Sequence, residues 1–208
     1  MSTPITVHKL SQFSGHRDCI YILEKDLNPN IFYSGSGDGM VVKWDITAPE
    51  NGELLIKVPN SVYSLKLIEE ENQLLVGHNF EGIHLVDLNE KKEIRSVKLT
   101  SSYIFDISTW EDKIIAACGD GEVIVLNKDN FSRIYSIKVT DKSARSISIN
   151  PLLKEIAVGY SDNNIRIYSL EDFSLKQVIS GHTLSVFTVK YSPDFKFLFS
   201  GSRDAHLK

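Results

Sequence analysis

Gly35-Ser-Gly-Asp-Gly39 and Gly119-Asp-Gly121 are the stretches whose composition could do chemistry, because clustered glycines can turn backbone N–H groups toward a phosphate. That chemistry needs a helix N-terminus behind the loop to hold the anion. Both stretches instead join one β-rich run to another, so they read as turns. Of six His residues only His78 and His84 stand close together; flanking a hairpin turn, they are expected at the surface rather than on a metal. Cys19 and Cys118 form no CxxC pair and read as separate reduced thiols, one at a strand start and one in a turn. Glu69-Glu-Glu-Asn72 reads as a solvated loop. No metal or cofactor is expected.

These residues must be positioned by short strands. The apolar runs are four to seven residues long, rich in β-branched and aromatic side chains, and separated by Gly, Asn, Asp, Ser or Pro, with no sustained helical period. Ile31 to Asp45 is the clearest hairpin, its two runs joined by Gly35, Gly37 and Gly39. The chain has 208 residues, 42% hydrophobic and 24% charged, so a sizeable core is available. A net charge of −4 with interleaved signs leaves no footprint for nucleic acid or an acidic membrane. No basic stretch followed by an apolar run opens the chain, and no apolar run approaches a membrane span, so a cytoplasmic setting is expected.

The hairpin recurs. Laid over the chain without gaps, Asp38 falls on Phe80, Asp120, Asp162 and Asp204, at intervals of 42, 40, 42 and 42. The preceding strand keeps the same ruler through Ile20, Val62, Ile104, Ala144 and Val186, at 42, 42, 40 and 42. The short interval therefore lies between Ile104 and Asp120, in the loop around Thr109 to Asp112. Each unit holds four strands; in the first they are Cys19 to Leu23, Ile31 to Ser34, Met40 to Asp45 and Glu53 to Val58. Asn28-Pro29-Asn30 turns the first into the second, and Asn51-Gly52 the third into the fourth. A lone four-stranded sheet cannot bury its faces, and a strand period of 40 to 45 is that of a β-propeller.

Phe13-Ser14-Gly15-His16 followed by Trp44-Asp45, with Ser180-Gly181-His182 opening a second good match, resembles the WD-repeat β-propeller family over nearly the whole chain. The resemblance implies an all-β propeller of four-stranded antiparallel blades. About five blades are expected of a seven-bladed ring, which would need about 290 residues, with the last blade truncated. The expected units are a closing strand at 5–12, blades at 13–58, 59–99, 100–139 and 140–179, and a partial blade at 180–208. The rival is a five-bladed ring closed by pairing 5–12 with 204–208. An open piece would present unpaired edges through which it could associate.

The same resemblance implies a hydrogen-bonded tetrad of His16, Ser34, Asp38 and Trp44 in the first blade, and His182, Ser200 and Asp204 in the fifth. A Ser-His-Asp set invites a hydrolase reading, but a fully bonded buried serine is no presented nucleophile and no oxyanion-hole segment is evident. The set is read as structural and the chain as no enzyme.

One residue past each marker of the first strand stand Tyr21, Tyr63, Phe105, Arg145 and Phe187. In the family that strand is innermost, and its start lies beside the mouth of a central channel. The residues before the turn position lie near the same face; among them are Asn79, Ser161 and Arg203, with Gly37 and Gly119 in the other units. Aromatics with an arginine are the composition of binding hot spots. The competing reading has these rings packing between blades. The expected function is a scaffold binding a protein or peptide on this face. The alternatives are a subunit using blade edges or sides and, further off, an enzyme with a small-molecule site in the channel.

Overall fold

A computed structural model describes residues 6–80 and 82–208. Among the described residues, eighteen strands form five antiparallel sheets. The first holds β1 (Ile20–Lys25), β2 (Ile31–Ser36), β3 (Met40–Asp45) and β4 (Glu53–Lys57). The second holds β5 (Val62–Ile68), β6 (Gln73–His78), β7 (Gly82–Asp87) and β8 (Lys92–Val97). The third holds β9 (Ile104–Trp110), β10 (Lys113–Cys118), β11 (Glu122–Asn127) and β12 (Arg133–Lys138). The fourth holds β13 (Ala144–Asn150), β14 (Glu155–Tyr160), β15 (Asn164–Ser169) and β16 (Leu175–Ser180), and the fifth β17 (Val186–Tyr191) and β18 (Leu198–Ser202). Every sheet is a meander in chain order, the arrangement of propeller blades.

Alternation along the strands explains how the sheets stack. Leu74 and Val76 of β6 face the first sheet with Tyr33, Val41 and Leu65, while Leu75 turns to the third with Ile104, Ile114 and Ile124. The same division puts Ile115 and Val125 against Ile156 and Tyr168, and Ala157 against Val189 and Tyr191. The core is thus four apolar layers, one between each pair of successive sheets. The inner strands β1, β5, β9, β13 and β17 stand side by side and line one cavity of about 400 Å³.

The short repeat interval has its cause at Glu111. β9 and β10 are joined by Glu111 and Asp112 alone, with Glu111 at φ 51°, where the second and fourth sheets use four residues at the same corner. The acidic run at 69–71 is an exposed 3-10 turn closed by Asn72 at φ 51°.

The rival five-bladed closure, in which 5–12 would pair with 204–208, is not seen among the described residues. Residues 6–12 are exposed and belong to no sheet, and among the described residues no hydrogen bond joins them to 204–208; Ile5 lies outside the described residues. A strand needs a partner edge for its N–H and C=O groups. In the fifth sheet the edge of β18 is taken instead by the chain itself, through reciprocal Ser200–Lys208 backbone bonds of 2.8 and 3.0 Å and a bridge from Gly201 to Leu207.

Candidate functional site

Each inner strand carries an irregularity at the same register. Ile20 pairs with Ser36 and Ile22 with Gly35, so Tyr21 is an extra residue on β1. The slip recurs between Val62 and Ser64, Ile104 and Asp106, Ala144 and Ser146, and Val186 and Thr188. The bulged residues are Tyr21, Tyr63, Phe105, Arg145 and Phe187. A β-bulge removes one residue from the pleat and re-aims its side chain. These five are therefore released from both sheet faces at the rim of the common cavity, which all five line.

The rings interlock along the rim. Tyr21 and Tyr63 stack at 4.4 Å between centroids, and Phe105 meets Tyr63 edge-on at 5.5 Å. The Tyr63 hydroxyl beside Tyr21 raises the Tyr21 phenol above its usual range. Arg145 lies over Phe105 at 4.2 Å and Phe187 at 5.4 Å, a cation held between two π faces. Its Nε–H donates to Ser161 Oγ at 2.9 Å. Burial lowers the Arg145 pKa, with the nearby Tyr63 and Tyr103 opposing.

Packing and presentation coexist, since Tyr21 and Phe187 remain 46% and 48% exposed while Tyr63, Phe105 and Arg145 are half-buried. Arg203 is exposed and Ser161 half-buried. Asn79 is buried with its Oδ1 unsatisfied, so it is not presented on this face. Tyr103 and Phe80 are not among the rim residues expected from the repeats, yet both belong to the cluster. Tyr103 stacks on Phe105 at 5.2 Å and meets Tyr63 at 5.5 Å and Phe80 at 5.8 Å. The available signal was that Tyr103 replaces the serine or cysteine found at this position as Cys19, Ser61, Ser143 and Ser185.

Deeper in the cavity, polar side chains of one inner strand satisfy free backbone groups of the next. Glu24 accepts the Leu67 N–H at 3.1 Å, Ser146 the Val189 N–H at 3.2 Å and Ser148 the Tyr191 N–H at 3.0 Å. Asp106 accepts the N–H groups of Ile107 at 2.9 Å and Ile147 at 2.7 Å. Desolvation still pushes the Asp106 carboxyl up to about 6.

The Ser-His-Asp sets are closed networks. His16 Nδ1 lies 3.2 Å from both Asp38 oxygens and its Nε2 2.7 Å from Ser34 Oγ, which also receives the Trp44 Nε1–H at 2.7 Å. One tautomer satisfies every partner: Nδ1–H donates to Asp38 while Nε2 accepts the Ser34 hydroxyl. Ser34 is fully buried, so its oxygen has no free approach. His182 repeats the arrangement at 3.0 Å from Asp204 and 2.9 Å from Ser200. Burial alone would raise both carboxyls, but backbone and imidazole donors hold Asp38 below its usual range and Asp204 far below it.

Two expectations need correction. His78 and His84 are buried rather than at the surface, because cross-strand pairing turns both inward: they share a short Nε2–Nε2 hydrogen bond, and His84 Nδ1 reaches Glu93 at 2.5 Å. Among the described residues no group of His, Cys, Asp or Glu has the spacing of a metal site. Cys118 is the buried last residue of β10 rather than a turn residue, and burial pushes its thiol up; Cys19 is exposed. No helix among the described residues is long and apolar enough to cross a membrane.

Comparison with known proteins adds family context. The family model described as WD domain, G-beta repeat matches residues 7–45 and 173–208. Protein groucho of Drosophila melanogaster is 24% identical over 87% of this chain and 26% of its own length. Actin-interacting protein 1 of the same organism is 27% identical over 100% and 33%, and WD repeat-containing protein 1 of Xenopus tropicalis 28% over 95% and 32%. The chain thus spans about a quarter to a third of the curated relatives it matches. Among solved structures, the WD40 β-propeller domain of Doa1 superposes with a TM-score of 0.81 at 22% identity, covering 93% of this chain and 64% of that one.

Proposed function

Because this chain is built of WD repeats folded as propeller blades, we propose that it is a non-enzymatic scaffold binding a protein or peptide partner on the face around the channel mouth. The observation that carries this reading is the repeated bulge. Five inner strands spend the same register position on aiming Tyr21, Tyr63, Phe105, Arg145 and Phe187 at one rim, which sheet pairing does not require. Rigid rings bury area at little entropic cost, and Arg adds a fork of donors. The relatives include one named for interaction with actin. The proposal keeps the cytoplasmic setting expected from the sequence, and involves neither nucleic acid nor membrane.

A second reading, a subunit joined through its blade edges or sides, draws on Ile94, Ile134 and Val178, which are 47%, 46% and 45% exposed on the outer strands β8, β12 and β16. The two are separated by placing a photocrosslinking residue at Tyr103 on the rim or at Ile134 on outer strand β12. The rim position should crosslink partners and Ile134 should not; crosslinking from Ile134 alone would reject the face. As a control, joint Tyr63→Ala and Phe187→Ala substitution should abolish the rim crosslink while lowering the melting temperature by only a few degrees, the loss expected from the ring contacts of Tyr63 and Phe187.

A further inference from the structure

We propose that the rim takes an extended peptide carrying an acidic group, a carboxylate or a phosphate, seated on Arg145; this rests on the binding-face reading above. The guanidinium is already immobilised by Phe105 and Phe187, and its Nε is spent on Ser161. Its terminal nitrogens have no hydrogen-bond partner among the described residues, and no carboxylate there lies within ion-pair reach of it. A half-buried arginine without a counter-ion is costly to hold, and its planar fork matches a carboxylate or a phosphate.

Most of the acids that could have answered it are engaged elsewhere. Asp106, the next residue on β9 after Phe105, spends its oxygens on the Ile107 and Ile147 N–H groups. On the loops of the same face, Asp38 is held by His16, Asp120 by the Thr100 hydroxyl at 2.7 Å, and Asp204 by His182. Asp162 is bound through both oxygens by Arg166, at 3.0 and 2.6 Å. Arg203, which holds in the fifth sheet the place of Ser161 in the fourth, is exposed and forms no ion pair among the described residues; the same is true of Lys142 before β13. In a chain of net charge −4, the rim of the fourth and fifth sheets thus presents unmatched positive charge. The Tyr21–Tyr63 stack, with exposed Tyr103 and Phe80, leaves room on the same rim for an apolar neighbour of the acid.

The test uses fluorescent peptide pools with one fixed central residue, Glu, phosphoserine, Ala or Lys, and random flanks. The Glu or phosphoserine pool should bind about tenfold tighter than the Ala pool, with the Lys pool weakest, and the tighter acidic arm identifies the source of the charge. R145Q should erase this preference while retaining apolar selection in the flanks, and R145K should keep part of it. On the unmodified protein, inorganic phosphate should displace the acidic pool and not the Ala pool, a readout independent of whether R145Q folds. Acidic pools binding no better than Ala, with all binding still dependent on Tyr63 and Phe187, would overturn the anion seat and leave the binding face standing. An acid preference surviving R145Q in a folded protein would overturn the assignment to Arg145. Binding by none of the pools would overturn both.

Discussion

The first sheet and the second solve the same problem with different residues. In the first, His16 lies in the loop before β1 and ties that loop to the turn carboxylate of Asp38, to Ser34 on β2 and through it to Trp44 on β3. In the second, Val58 and Phe80 stand where the histidine and the aspartate would be. There His78 and His84, at the positions of Ser36 and Val42, link β6 to β7, and Glu93 extends the link to β8. The fourth sheet uses the same two positions for Tyr160 and Arg166: Tyr160 bonds Tyr168 at 3.1 Å, and Arg166 covers the Tyr160 ring and grips Asp162. The substitute networks stay within their sheets, whereas the tetrad also fastens an incoming loop. Part of the fastening does not need the tetrad: Val58 is buried in the core, and Ser61 and Ser143 donate to the carbonyls of Gly37 and Gly119 in the preceding sheet, at 3.2 and 2.8 Å, a bond that Ser185 repeats in the fifth sheet beside its histidine.

The widest separation between these two designs is expected from removing their central imidazoles. His16→Ala strands the carboxylate of Asp38 and a buried serine and should cost about 3 kcal/mol in urea unfolding. It should also release the Arg17 N–H, bonded to Asp38 at 2.8 Å, to fast hydrogen exchange. His84→Ala takes one hydrogen bond from the buried His78 and one from a partly solvated Glu93, and should cost about 2 kcal/mol without loosening the loop before β5. A His84→Ala cost equal to that of His16→Ala would erase the distinction.

Acid and alkali should pull the networks apart in opposite directions. Asp38, Asp204 and Glu93 all have lowered pKa values, so the stability they confer is present above the ordinary carboxylate range and fades as the pH falls through their depressed values. Asp106 is raised to about 6 by desolvation, so folding favours its protonated form. Its contribution is complete below the unfolded value of about 4 and is lost as the pH rises through 6. Asp106→Asn should therefore gain on the wild type by about 2 kcal/mol between pH 4 and 7, allowing for screening at the channel wall. A stability difference that is flat over that range would mean the carboxyl is solvated and not desolvated.

Much of this was legible in the sequence, and the misses have physical causes. The repeat ruler locates the four-strand units and the shortened β9–β10 corner, because register and turn length are local properties. It also picks out the five rim residues, though not that they bulge. The sign was there: buried apolar residues run Val62 to Leu65, Ile104 to Ile107, Ala144 to Ile147 and Val186 to Val189, a step of three where an unbroken strand steps by two. His78 and His84 were misplaced because a polar residue near a turn reads as exposed until the cross-strand partner is known. Asn79 failed for a similar reason, since the second sheet, lacking the turn aspartate, places Phe80 at φ 70° and leaves Asn79 inside.

The smallest expected effect bears on whether fastening and recognition use separate residues. Ser61, Ser143 and Ser185 each donate to the carbonyl 24 positions earlier, of Gly37, Gly119 and Ser161, while Tyr103 at the equivalent place offers a ring instead. Tyr103→Ser should lose ring contacts worth about 1 kcal/mol and gain a hydroxyl bond to the Asn79 carbonyl worth about as much. Stability should then stay within about 0.5 kcal/mol of wild type while partner binding at the rim falls several-fold, because the third sheet has exchanged a recognition side chain for a fastening one. A loss near 2 kcal/mol would instead make Tyr103 a packing residue, and unchanged binding would remove it from the rim's contact surface.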